Sequence, residues 1–243
     1  MHLIVFRDPP LDGPTNMARD EHLLHAHDSP AIRIYAWRPP TISLGYFQPF
    51  SAIEALPAEL RALAVVRRLT GGGAILHDRE VTYALTLGAA LPIARQSPAS
   101  LYALVHECWR AALARHGVAT SLAPDAYPLP SPRGGPFFCF EKPGRTDLLF
   151  GDAKLLGSAQ RRLPGRTLQH GSLILGQRYT AHPGARLDEP GARTVNDIVD
   201  LFLTHVSDAL HLPLFAGGWT PAMLSDVGLR RERYAGDAWT RKR

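Results

Sequence analysis

Lysine is scarce in this chain. Of 27 basic residues among 243, three are lysines: Lys142, Lys154 and Lys242. Arginine is a permanently charged planar fork, whereas lysine is a point charge that can surrender its proton. An internal lysine in so arginine-rich a chain therefore calls for a chemical reading. Cysteine is scarce too, with Cys108 and Cys139 alone, too few for a disulfide framework. Both are expected to be free thiols in a reducing cytoplasm. No apolar run approaches the roughly 20 residues of a membrane span, and the opening MHLIVFRDPP lacks the basic and apolar regions of an export signal. Acidic residues are in deficit, 22 against 27, for a formal charge of +5 and a pI near 9.5. That balance suits nucleic acid, or acidic proteins and anionic small molecules. A composition 45% apolar and 20% charged argues against a disordered or coiled-coil chain.

Periodicity predicts a helix over Pro14–His27 and a strand over Ile32–Trp37 that stops at Pro39-Pro40. A helical stretch over Ser51–Ala64 is blemished by Pro57. Strands are expected at Val65–Leu69, Ala74–His77 and Val81–Leu87. The clearest helix runs from Pro98 to His116, with Ser97 as cap and Gly117 as stop. Leu101, Leu104, Val105, Cys108 and Ala112 recur on its buried face, which makes Cys108 a core residue. The proline-rich Ala123–Pro136 reads as a loop that delivers Phe137-Phe138-Cys139-Phe140. A hairpin follows, Asp147–Phe150 and Ala153–Arg162 about Gly151-Asp152, then a strand at Leu168–Leu175 and a helix over Val195–Leu210. The sum is an α+β fold in a single domain over 1–243, a mixed, mainly antiparallel sheet with flanking helices. Its core is expected over about 16–210, with 211–243 forming no separate accessory domain.

Three features could carry chemistry. Gly71-Gly72-Gly73 lets backbone approach a ligand and turn N–H groups toward it, with Arg67 and Arg68 able to supply charge to an anion. Glycines alone equally describe a flexible hairpin tip, and the pattern is neither a P-loop nor a dinucleotide fingerprint. Lys154 lies on a strand where it shares a face with Leu156, Ser158 and Gln160, while Gly157 and Ala159 leave room on the other. It can polarise a carbonyl, exchange protons with a lowered pKa, or simply snorkel off the sheet. Cys139 has no helical stripe to explain it. It is either a nucleophile, needing Arg133, Lys142, Lys154 or a histidine beside its thiolate, or a small residue in an aromatic cluster. His22, His25 and His27 complete no metal-ligand spacing. His77 and His170, each close to a loop glycine, read as support residues, and Arg241-Lys242-Arg243 as a solvated end.

In order along the chain, Asn16–Glu21, Tyr35-Ala36-Trp37, Ser43–Tyr46, Arg67–Asp78, Lys154–Arg162 and Leu168–Ser172 resemble the biotin/lipoate protein ligases and octanoyltransferases over about Asn16 to Trp239. The resemblance implies the catalytic-domain fold of that family. It implies Cys139 and Lys154 as catalytic residues, with Arg68, Gly71, Gly72, Gly73, His77, Gly157, Ser158, Ala159, His170 and Gly171 around the substrate. Within the family, one octanoyltransferase branch places a nucleophilic cysteine just upstream of the lysine, as Cys139 stands fifteen residues before Lys154. That branch implies octanoyl transfer from octanoyl-acyl carrier protein, through a cysteine thioester, to the lysine of a lipoyl domain. The acceptor would be glycine-cleavage H protein or 2-oxoacid dehydrogenase E2, with no cofactor, metal, membrane or nucleic acid. The alternative branch is an ATP-dependent lipoate ligase using Mg and an acyl-adenylate, without a cysteine nucleophile. A nucleic-acid-binding protein, suggested by the basic pI, lacks any recognition motif.

Overall fold

The computed structural model describes residues 1–26, 29–127, 135–188 and 190–243. His27, Arg133 and half of the proline-rich loop (128–134) lie outside these residues. The strands are β1 (Leu3–Arg7), β2 (Ala31–Tyr35), β3 (Thr41–Leu44), β4 (Ala64–Arg67), β5 (Ile75–His77), β6 (Glu80–Gly88), β7 (Ser121–Leu122), β8 (Leu148–Phe150), β9 (Ala153–Leu163), β10 (Arg166–Ile174) and β11 (Leu214–Ala216). The helices are α1 (Gly13–Ala26), α2 (Ala58–Arg61), α3 (Pro92–Arg95), α4 (Pro98–Ala114), α5 (Ala192–Leu210), α6 (Pro221–Ala235) and α7 (Asp237–Thr240). One sheet of eight strands runs β11-β1-β2-β6-β10-β9-β8-β7, parallel from β11 to β2 and antiparallel thereafter. A second sheet runs β4-β3-β5. The α+β, mainly antiparallel expectation holds.

Both faces of the large sheet are covered. Tyr83 and Leu85 point to α4 and α5, where Trp109 stacks on Phe202 at 3.8 Å. Ala84 and Leu168 face α1 and α6. β6 and β10 are thus buried on two sides, as central strands of a layered fold should be. Ser97 caps α4 by accepting from the Ser100 N–H, and Pro98 occupies its first turn. Cys108 is buried in this core, and its burial pushes the thiol up to about 12.

Local differences from the sequence reading have physical causes. The helix expected over 51–64 is a 3-10 turn, Phe50–Ala55, followed by α2, the two divided at Pro57. β1 has no period-two alternation because it lies inside the sheet between β11 and β2. α6 buries only Val227 and Tyr234. It is announced only by Thr220, whose hydroxyl caps Met223, and by Pro221. Residues 211–243 are integrated: β11 pairs with β1, and α6 lies along α1. The tail expected to be solvated packs instead. Lys242 sits 3.3 Å from the Trp239 ring centroid, and the Arg243 carbonyl accepts from Phe50 N–H.

Candidate active site

The site forms where the β8–β9 hairpin of the large sheet meets the loop leading into β5. Ala74 N–H donates to Phe137 O, and Cys139 N–H donates to Ala74 O, at 2.7 and 2.8 Å. These bonds clamp the cysteine segment against the glycine loop. A 3-10 turn over Cys139–Glu141, closed by Phe138 N–H donating to Glu141 Oε1, then fixes the direction of the thiol. The approach is close enough that a Cβ on Gly73 would lie 2.9 Å from Cys139 N and 3.0 Å from Phe137 O. Gly73 is a packing requirement here rather than a loose tip.

Lys154 enters from the hairpin and is 3% exposed. Its Nζ lies 3.2 Å from Cys139 Sγ, 3.2 Å from Cys139 O and 2.8 Å from Asp147 Oδ2. Burial opposes its charge, but Cys139 and Asp147 outweigh burial and hold the ammonium above its ordinary pKa. The option of a lysine with a lowered pKa is therefore overturned by its two partners. Lys142, by contrast, is exposed. The lysine tail folds over Gly157, where a Cβ would meet Nζ at 2.5 Å. Asp147 was missed as its counter-charge. The signal was available, since a buried ammonium needs an anion and Asp147 stands on the facing side of the hairpin. A bulge at Leu148/Leu149 sets the pairing Leu148↔Leu156 and brings the carboxylate level with Gly157.

The arginines do something other than expected. Arg67 is fully buried and donates to the carbonyls of Gly45, Gln48 and Thr240. Arg68 donates to the carbonyls of Ser43, Gly71 and Gly73 and to the Thr70 hydroxyl. Their donors are spent on the protein, so neither offers a free fork to an anion. Arg68 shapes the glycine loop. Burial lowers its pKa to about 10, with Cys139 opposing, and it stays charged at neutral pH. Two relays hold it. In one, Thr70 bonds to His170, which bonds to Asp20; in the other, Ser43 bonds to His77, which bonds to Glu80. His77 is also stacked on Trp37 at 3.8 Å.

A narrow, largely apolar cavity with about 20 Å³ of free space lies between the sheets, lined by Trp37, Ile75, His77, Ala159, His170 and Gly171 among others. Cys139 packs against the cluster of Ile75, Phe140 and Ile174, of which Ile75 also lines the cavity. Gly157 and Ala159 pair with Ser172 and His170 on this face of the sheet. Ser158 is turned the other way. Its hydroxyl lies 2.6 Å from His106 Nε2 and 2.7 Å from Tyr83 OH, beneath α4. It buttresses the strand instead of touching the cleft. His106, unnoticed in the sequence, has its Nδ1 on Thr146 O, and burial pushes it down to about 4. Among the described residues no group of three or more potential ligands could hold a metal ion, and no helix is long and apolar enough to cross a membrane.

A family model of the lipoyl protein ligase A/B catalytic domain matches residues 12–190. The chain belongs to that family. Its curated relatives include octanoyltransferase LipM of Moorella thermoacetica, 39% identical over 174 residues, which are 68% of this chain and 62% of the relative. The LipM of Brevibacillus brevis is 31% identical over 263 residues, 94% of each chain. The first of these matches thus spans about three fifths of the relative's length. Among solved structures, a lipoate-protein ligase A bound with ATP superposes at a TM-score of 0.78 and 18% identity, covering 99% of both chains. A bipartite lipoate protein ligase from Thermoplasma acidophilum gives 0.76 at 17%, covering 99% of this chain and 96% of that one. At those identities the likeness establishes the family fold and nothing finer.

Proposed function

We propose that this family member is an octanoyltransferase of lipoate biosynthesis, with Cys139 as nucleophile and Lys154 as its charged partner. The observation that carries the reading is the 3.2 Å contact between Cys139 Sγ and Lys154 Nζ. An adenylate-forming ligase has no use for sulfur at that point. A thioester exchange does, because an ammonium beside the sulfur favours the thiolate that attacks.

In the first step the Cys139 thiolate adds to the carbonyl carbon of an octanoyl thioester on acyl carrier protein. The C–S bond to the carrier breaks, and the carrier sulfur leaves as a thiolate that takes a proton from water. Lys154 stays an ammonium and stabilises the transient oxyanion. The N–H groups of Gly72 and Gly73 accompany it, since among the described residues nothing accepts from them. In the second step a neutral lysine amine of a lipoyl domain adds to the acyl-enzyme, Cys139 leaves, and a stable amide forms. Each methylene buried between Trp37, Ile75 and His77, once those side chains part to admit the chain, contributes about 0.8 kcal/mol. Exchange of one thioester for another is nearly isoenergetic, so the cycle consumes no nucleotide and needs no cofactor. Glycine-cleavage H protein and 2-oxoacid dehydrogenase E2 lipoyl domains are the fitting acceptors, in the cytoplasm, where thiols stay reduced.

The test is incubation with octanoyl-carrier protein and apo lipoyl domain, with and without ATP, read by intact mass. Transfer without ATP is expected, through an octanoyl adduct on the enzyme that Cys139→Ala lacks. An adduct that persists on Cys139→Ala, or acylation that needs free octanoate and Mg-ATP, sinks the assignment.

A further inference from the structure

Three cations at the C-terminal side of the site have no role in the chemistry above. Lys242 Nζ lies 3.7 Å, Arg243 Cζ 5.4 Å and Arg161 Cζ 5.9 Å from the centroid of one ring, that of Tyr46. Lys242 also covers Trp239. Among the described residues no carboxylate reaches ion-pair distance of any of the three. The nearby Arg233 and Arg241 are occupied by Glu21 and Asp237. Partial burial, followed by repulsion from Arg67, Arg243, Arg233 and Arg161, pushes Lys242 down to about 8. Packed like charges of this kind lack an anion.

The cluster borders a groove. A cavity of about 430 Å³ is lined by Phe47, Gln48, Gly72, Gly73, Phe137 and Arg243. Gly73, part of its lining, is the residue at which a Cβ would lie 2.9 Å from Cys139 N. The groove therefore runs from Arg243 of the cationic cluster to Gly73, beside the cysteine segment. Three cations converging on one ring match a single dense anion. A row of helix carboxylates would call for cations spread along a line, since neighbours on a helix face stand about 5–6 Å apart.

We propose that Arg161, Lys242 and Arg243 form an anion subsite for the phosphate of a phosphorylated thioester donor, whose arm lies in the groove leading past Gly73 to Cys139. This rests on the acyl-transfer reading above. A donor arm of this chemistry is carried by acyl carrier protein and by coenzyme A alike. The subsite reads the phosphate, and contacts with the carrier's own surface are additional.

The experiment compares octanoyl-4′-phosphopantetheine with octanoyl-pantetheine, identical but for the phosphate, and adds octanoyl-coenzyme A and octanoyl-carrier protein as further donors. Wild-type enzyme should show a kcat/KM at least about tenfold higher for the phosphorylated small donor, the effect of one charge-assisted hydrogen bond. In Lys242→Gln/Arg243→Gln that preference should fall toward unity, while the rate with octanoyl-pantetheine stays unchanged and so reports an intact fold. Binding of unacylated 4′-phosphopantetheine, followed by calorimetry, should be lost in the same variant. Equal rates for the two small donors in the wild type, or a preference that survives in the variant, overturns the proposal. So does an effect of the variant confined to octanoyl-carrier protein, which would instead indicate docking of an acidic protein face. If calorimetry shows variant-sensitive phosphopantetheine binding but no donor supports transfer, the subsite stands and the acyl-transfer reading falls.

Discussion

Gly157→Ala separates the chemistry of this site from its stability. The missing side chain at Gly157 leaves the space through which the Lys154 tail passes, and a Cβ there would lie 2.5 Å from Nζ and closer still to Cε. An ordinary contact begins near 3.4 Å, so the ammonium must retreat by about 1 Å. The atoms in the way belong to the end of a flexible side chain, and the backbone at Gly157 has no positive φ to preserve. The fold should therefore yield at a cost of about 1 kcal/mol or less. Chemistry should not. Nζ holds Asp147 at 2.8 Å and Cys139 Sγ at 3.2 Å, and a shift of that size cannot keep both. A misplacement of about 1 Å at a reacting group costs on the order of 100-fold, or about 2.7 kcal/mol of activation energy. Gly73→Ala is the contrasting variant. Its Cβ would strike Cys139 N, Phe137 O and Pro136 O, all backbone atoms, so stability and transfer should fall together. Octanoyl transfer followed by intact mass, alongside urea unfolding, reads both quantities. A folded Gly157→Ala enzyme that transfers at the wild-type rate would refute the argument that ammonium placement governs the reaction.

Asp147→Asn leaves a buried ammonium without its carboxylate, and losing one partner of such a pair costs about 3–5 kcal/mol. Urea unfolding should show that loss, and transfer should drop with it. His106 supplies a pH dependence. Its folded pKa, about 4, lies below the ordinary 6.5, so above pH 6.5 both states hold it neutral and it contributes no dependence. As pH falls from 6.5 toward 4 the unfolded chain takes up a proton that the folded chain refuses, and up to about 3 kcal/mol of stability is lost. Denaturant midpoints measured across that range should decline in the wild type and flatten in His106→Gln.

The parts of the fold that were legible carry local signals. α4 shows a cap, a proline and a stripe, and the hairpin about Gly151-Asp152 shows two runs and a turn. Cys139 and Lys154 stood out by rarity and by their setting in the chain. What stayed hidden depends on distant packing. β1 is a short strand inside a sheet, without alternation. Asp147 becomes the lysine's partner through a bulge, and the tail's aromatic seat exists only after α6 has packed along α1. Ser158 shows the same limit from the other side. A residue can occupy the right segment while strand parity turns it away from the cleft.

The role of Arg68 explains why the site tolerates so much buried charge. Its guanidinium donates to carbonyls on both limbs of the glycine loop, so the loop's shape depends on that cation. The relays behind it end on Asp20 of α1 and Glu80 of β6, two carboxylates 2% and 5% exposed. Their negative charge offsets the arginine within the protein, with no need of substrate. Cys139 remains within the electrostatic reach of Arg68, as the opposing influence on the arginine's own pKa indicates. The thiol thus faces two fixed cations, Lys154 in contact and Arg68 behind the loop, while one carboxylate, Asp147, anchors the first of them. That arrangement sets positive charge where a thioester relay develops its transient oxyanion.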